Sequence, residues 1–219
     1  DEATSALTAS MFSWYFTTNV WVGVGLALVV SLSIGFINGW ILIKTKLPSF
    51  IVTLATFLML TGLNLGLTRL IGGSVSSPSI SNMEGFASAR SVFASSVTIG
   101  GVDVKITVFI WIALVAVATW VLMRTRVGNW IFAVGGDANA ARAVGVPVRA
   151  TKIGLFMGVG FCGWILGMHN LFAFDTVQSG EGVGNEFLYI IAAVIGGCLL
   201  TGGYGSAIGG AIGAFIFGM

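Results

Sequence analysis

An all-α, multi-pass transmembrane helical bundle is the fold class this sequence predicts, and three observations predict it. Only 8% of the 219 residues are charged while 56% are hydrophobic, and the mean hydropathy of +0.99 is one that a water-soluble domain of this size does not carry. The apolar residues come in runs long enough to cross a bilayer as helices. The charges gather in the breaks between those runs and segregate by sign. Lys44, Lys46, Arg124, Arg126, Arg142, Arg149 and Lys152 occupy two breaks, with Asp137 the acid among them, which assigns both breaks to the cytoplasm by the positive-inside rule. Asp1, Glu2, Glu84, Asp103, Asp175, Glu181 and Glu186 then fall on the outer side, with Arg69, Arg90 and Lys105.

Residues 1–19 read as a polar lead-in closing on Trp14, Tyr15 and Phe16, an aromatic cluster suited to the outer headgroup belt. The first span is 21–43, where Gly35 and Gly39 lie four apart on one face and admit a close neighbour. Asn38 between them serves either an interhelical hydrogen bond or the lining of a solute route. A tight inner turn over 44–48 leads through Pro48 into the second span, 49–71. At about 100° per residue, Ser49, Thr53, Thr56, Thr61, Asn64 and Thr68 share an arc of roughly 140°, with Gly62 and Gly66 opposite. Such a stripe either meets a polar cavity or bonds back to its own helix carbonyls. Asn38, Thr53, Thr56 and Asn64 are the candidate pathway residues.

Residues 72–105, rich in Ser and Gly, read as an extracytoplasmic segment with a short helix near 82–93. The third span, 106–123, is anchored by Arg124 and Arg126 and opens a cytoplasmic loop over 124–152. Span 153–174 returns outward with Gly154, Gly158, Gly163 and Gly167 spaced for helix packing. His169, the sole histidine, stands near its outer end and without ligand partners suits packing rather than proton transfer. The apolar run 187–200 is too short for the hydrocarbon core. TGGYGS follows at membrane depth, where irregular backbone persists only if protein or a water-filled cavity satisfies it. A broken or half-spanning helix near 187–206 is therefore predicted, then a partial span over 207–219, with Gly205, Gly209 and Gly213 forming a ladder at four-residue intervals that runs into it. With Asp1 first and Met219 inside an apolar run, a single transmembrane domain incomplete at both ends is expected.

The most informative polar stretch is GGDANAARAVGVPVRATK, residues 135–152. Asp137 is placed to cap a short helix, 138–144 favour that helix, Gly145 suits a left-handed position after it, and Pro147 prevents continuation. A helix that short is not stable alone in water, so it reads as a docking peg presented between two spans. Other chemistry is sparse. Cys162 and Cys198 sit in apolar runs without disulfide or metal spacing. One histidine, no carboxylate pair within a span and no ligand cluster argue against an enzyme. Ionisable residues of the kind that relay protons or ions are missing from the spans. A GxxxxGK[ST] phosphate loop is absent, and Gly203-Tyr204-Gly205 meets Ile208 where a dinucleotide fingerprint needs its third glycine. The reading is a conduit, not an enzyme, binding no cofactor and no nucleic acid, and energised from elsewhere.

The pattern Asn139-Ala140-Ala141-x-x-x-Gly145, with Asn139 in place of Glu and no Leu-Pro pair after Gly145, resembles the EAA-type cytoplasmic loop of ABC importer permeases. Beside it stand NGWILIKTKLPSFIVTLATFLMLTGL and QSGEGVGNEFLYIIAAVIGGCLLTGGYGSAIGGAIGA. Together these make the chain beyond residue 30 look like the permease subunits of bacterial ribose, xylose, galactose and arabinose importers. The resemblance implies a coupling helix seated in an ATPase subunit, with Gly135, Gly136, Asp137, Asn139, Ala140, Ala141, Arg142 and Gly145 relaying ATP-driven motion. It also implies ATP and Mg held by that partner, a second permease subunit, identical or related, and a solute-binding protein delivering a monosaccharide at the bacterial inner membrane. Two alternatives stay open on the residues alone: an ATP-independent facilitator channel and a non-transporting membrane scaffold.

Overall fold

The computed structural model describes residues 2–17, 19–99 and 102–218; Asp1, and Met219 at the end of the expected span 207–219, lie outside them. The chain is all-α and multi-pass. Its elements are α1 (Glu2–Phe16), α2 (Val20–Thr45), α3 (Ser49–Gly72), α4 (Phe86–Phe93), β1 (Ser96–Ile99), β2 (Val102–Lys105), α5 (Ile106–Arg124), α6 (Arg126–Gly136), α7 (Ala138–Ala143), α8 (Val148–Phe174), α9 (Glu186–Ile195) and α10 (Ala207–Gly218). Four of them, α2, α3, α5 and α8, are long and apolar enough to cross a membrane.

Local chemistry sets the helix ends. The Asn19 side chain accepts the Trp21 N–H at 3.0 Å and opens α2, which closes on Lys46 in the left-handed region with its N–H donating to the Leu42 carbonyl. Helix α8 begins at Val148 rather than at Ile153. The Thr151 N–H already donates to the Pro147 carbonyl at 3.0 Å, because a proline at a helix start has a suitable φ and no amide that needs a partner.

Two compact units divide the chain. One comprises Asp1–Thr107 and Ile153–Val183. Its most buried helix is α1, which the sequence reading takes for a lead-in: Ala3, Thr4, Ser5, Ala6, Leu7, Ala9, Ser10 and Ser13 are all buried. Small side chains allow this helix to be approached on several sides, and hydroxyls such as those of Thr8 and Ser10 donate to Thr4 and Leu7 carbonyls of the same helix. These two hydroxyls are thus satisfied without water, whereas the buried Ser13 Oγ has no hydrogen-bond partner among the described residues. Antiparallel to α2 runs α8: a Cβ on Gly35 would lie 2.6 Å from the Phe156 oxygen, and one on Gly39 would lie 2.9 Å from the Ile153 Cα. The backbone of α8 is approached at Gly160 and Gly167, whereas a Cβ on Gly154 or Gly158 would meet no atom beyond its own helix within 4 Å among the described residues.

Above these helices Ile80, Phe86, Ala89 and Phe93 join Leu7, Val24, Met168, Leu171 and Phe172 in one apolar core, so the segment after α3 folds down onto the bundle. Backbone bonds strap it in place, from Ser77 to Val177 at 2.9 Å and from Ser179 to Val75 at 2.9 Å. An antiparallel β-hairpin follows α4, with Ser96 opposite Lys105. His169 lies 2.8 Å from the Phe93 carbonyl oxygen and 2.9 Å from the Thr107 hydroxyl through Nδ1, and so joins the end of α4 to the start of α5.

The second unit comprises Val108–Lys152 and Gly184–Met219. Helices α9 and α10 form an antiparallel hairpin in which Gly196 meets the Gly209 backbone and Gly213 meets Ala192 and Gly196. With 10 residues, α9 is only about 15 Å long, and residues 196–206 turn the chain without helix, as the run TGGYGS predicts.

Candidate functional site

The segment after α5, which the charge pattern leads one to expect on the cytoplasmic side, is more ordered than a loop. The Thr125 hydroxyl accepts the Gly128 N–H at 3.3 Å and opens α6. Asp137 then serves two helices at once. Its N–H donates to the Ala133 carbonyl at 3.1 Å and ends α6, while its Oδ1 accepts the N–H groups of Asn139 at 2.8 Å and Ala140 at 3.1 Å and begins α7. This is the N-cap geometry that supplies partners for amides a helix start leaves free, and its negative charge faces the positive end of the helix dipole.

The other end is equally specified. Gly145 has φ 86°, its N–H donates to the Arg142 carbonyl at 3.1 Å, and the Val146 N–H reaches back to the Ala141 carbonyl at 3.0 Å. Those two bonds with a left-handed glycine between them make a Schellman termination, and the hydrophobic contact that accompanies it is present. Ala141 is buried against Val134 and Val148, with Ala138 and Val146 beside it. Asn139, Ala140, Arg142, Ala143 and Val144 point outward, Val144 with 80% of its surface exposed. The 6-residue helix is therefore held by the buried Ala141, the partly buried Ala138 and two caps, and its other four residues are exposed. The structure brings Asp137, Asn139, Ala140, Ala141, Arg142 and Gly145 into a single knob, with Gly135 and Gly136 as the last turn of α6.

Residues absent from the sequence reading of this loop approach it from the hairpin turn. Gly202 and Gly203, with φ 87° and 79°, lie directly on α6: a Cβ on Gly135 would fall 2.7 Å from the Gly203 nitrogen, and one on Gly202 would fall 2.7 Å from the Gly135 oxygen. The signal for this was the Thr-Gly-Gly run itself, since adjacent glycines mark backbone that needs positive φ or close approach.

The candidate pathway residues do not form one cluster. The Thr53 hydroxyl donates to the Ser49 carbonyl at 3.0 Å and that of Thr56 to the Val52 carbonyl at 3.1 Å, so these threonines bond within α3. Asn64 is 7% exposed and its Nδ2 donates to the Thr4 hydroxyl at 3.0 Å, joining α3 to α1. Asn38 stands apart on α2, and its Oδ1 is buried with no hydrogen-bond partner among the described residues. A groove of about 430 Å³ beside α5 is lined by apolar groups such as Trp120, Met123 and Ile208. Its polar lining is limited to Thr119, whose hydroxyl already donates to the Val115 carbonyl at 2.7 Å, and Arg124, few groups for a hydroxyl-rich solute. Among the described residues, no three His, Cys, Asp or Glu side chains gather as a metal site would require.

Residues 3–219 match the family model described as the permease component of branched-chain amino acid transport systems. The chain is 33% identical over 217 residues to the ribose import permease protein of Haemophilus influenzae, covering 98% of this chain and 63% of that protein. It is 31% identical to the ribose import permease protein of Escherichia coli K12, covering 98% and 64%. The galactose/methyl galactoside import permease protein of the same strain is 33% identical over 186 residues, covering 84% and 53%. The chain thus spans less than two thirds of the length of these relatives. No solved structure matches it.

Proposed function

The chain belongs to this family of permease components, and from that premise we propose that it is part of the membrane-spanning subunit of an ATP-driven importer that moves a monosaccharide across the bacterial inner membrane. The sugar is favoured as cargo because the similar curated proteins are named as ribose and galactose import permeases. In this reading a solute-binding protein delivers the sugar from outside, a second permease subunit completes the route, and ATPase subunits bind ATP and Mg on the cytoplasmic side.

The observation that carries the reading is α7, a helix of 6 residues capped at both ends, with Ala141 buried, Ala138 partly buried and the other four residues exposed. So short a helix has no stability of its own, and its two caps hold it in a shape that a groove on an ATPase can grip. Gly135, Gly136, Asp137, Asn139, Ala140, Ala141, Arg142 and Gly145 are the residues assigned to that coupling. Arg142, in the last turn, adds a positive charge where the helix dipole favours it and suits an acidic partner surface. Asn38, Thr53, Thr56 and Asn64 remain the proposed pathway residues. The unpartnered acceptor of Asn38 supports its place there, because a buried carbonyl oxygen without a donor is offset when a solute hydroxyl or water reaches it.

Co-expression with the ATPase and reconstitution in liposomes tests the proposal. The ATPase should co-purify, and uptake of a pentose or hexose should require both ATP and the binding protein. Sugar flux through the permease without ATP would replace the reading with a facilitator channel; no flux under any condition would favour a scaffold.

A further inference from the structure

The contact between Gly135 and the turn at Gly202 and Gly203 is made backbone to backbone, and its place in the chain gives it a role. Gly135 immediately precedes the residue before Asp137, the shared cap of α6 and α7, so no flexible linker separates this contact from the docking knob. On the other side, the turn is tied into a stiff hairpin. The Leu199 N–H donates to the Tyr204 carbonyl at 3.1 Å and the Gly202 N–H to the Leu199 carbonyl at 3.0 Å. The Ser206 hydroxyl accepts the Gly209 N–H at 3.0 Å at the start of α10, and α9 meets α10 through Gly196, Gly209 and Gly213 without intervening side chains.

We infer that Gly135, Gly202 and Gly203 form a rigid joint through which displacement of α7 is delivered to the α9–α10 hairpin. The inference rests on the coupling reading of α7 and adds to it the element that is moved. Side chains placed between two elements absorb motion by changing rotamer, whereas close-packed backbone has no such freedom and transmits strain. A Cβ on Gly203 would meet the Gly136 Cα at 3.1 Å, so the joint excludes side chains from both of its surfaces. The hairpin is then the moving part at the cytoplasmic end of this unit, and these three glycines are positioning residues that act through it.

Gly135→Ala isolates the joint, because Gly135 does not have positive φ and the three nearest atoms that the added methyl meets outside its own helix all belong to the turn. Gly210→Ala, also a helical glycine but with nothing within 4 Å of its Cβ, is the control. In liposomes holding the permease, ATPase and binding protein, Gly135→Ala should bind the ATPase at the wild-type ratio yet transport at least tenfold less sugar per ATP hydrolysed. Gly210→Ala should stay within twofold of wild type. Wild-type sugar per ATP in Gly135→Ala overturns the joint while leaving α7 docking intact; failure of the unaltered chain to bind an ATPase overturns the docking reading instead. Spin labels on Asn129→Cys and Leu200→Cys, with Cys162 and Cys198 replaced by alanine, test the joint without touching it. Their separation should stay the same with and without trapped nucleotide, and a shift of more than about 5 Å, one helical turn, overturns rigid transmission even if Gly135→Ala does not fold.

Discussion

Replacing Gly145 with valine tests the coupling helix through one backbone angle. With φ at 86°, this residue occupies a region that costs an L-residue about 1–2 kcal/mol, and a β-branched side chain is among the least tolerant of it. No atom lies within 4 Å of where its Cβ would be placed, so the variant suffers backbone strain and no clash. The penalty falls on the Schellman termination, whose two N–H donors, those of Gly145 and Val146, hold the last turn of α7. A loss of 1–2 kcal/mol lowers the population of the terminated helix by a factor of about 5–30. Sugar transported per ATP hydrolysed, measured in liposomes with ATPase and binding protein, should fall within that range while the amount of permease in the membrane is unchanged. Gly145→Asn should retain most coupling, because asparagine tolerates the left-handed region. Wild-type coupling in Gly145→Val at equal protein level would refute the assignment of α7 as the transmitting element.

Asp137→Ala removes the acceptor for two amides and should cost about 1 kcal/mol of local helix stability, seen as faster amide exchange at Asn139 and Ala140 and weaker ATPase retention; Asp137→Ser should restore both. Asn64→Leu breaks the bond to Thr4 and should destabilise the α1–α3 contact by about 0.6–2 kcal/mol, the range for hydrogen bonds between membrane helices. In a double-mutant cycle with Thr4→Val, thermal unfolding in detergent should show strongly non-additive losses, and additive losses would disprove the contact. Trp164→Phe keeps an aromatic ring, though a smaller one, opposite Phe93 but deletes the indole N–H that donates to the Val24 carbonyl at 3.1 Å. A loss of about 0.5–1.5 kcal/mol is expected, and an unchanged melting temperature would show that this bond contributes nothing.

What the sequence determined by itself was whatever depends on neighbours along the chain or on transfer into lipid. Hydropathy runs predicted the four long helices, and the run TGGYGS predicted where helix gives way between α9 and α10. The knob at 137–145 was legible because a cap is a local object: a carboxylate two and three residues from the amides it accepts, and a glycine where φ must be positive. The threonine stripe of α3 was legible as a pattern, yet its two readings differ only in what lies opposite, and the tertiary structure turned Asn64 toward Thr4 while Thr53 and Thr56 bonded within their own helix.

Tertiary structure alone decided the rest. The segment 2–16 has too little apolar surface to announce burial, and only the arrival of α2, α3 and α8 around its alanines and serines makes it a core helix; the physical reason is that small residues contribute close approach rather than hydrophobic area, which composition does not register. The folding of Ile80, Phe86 and Phe93 onto Phe172, and the meeting of Gly135 with Gly203, likewise join positions far apart in the chain. A glycine records that something comes near it, but which backbone comes near is set by how the helices pack.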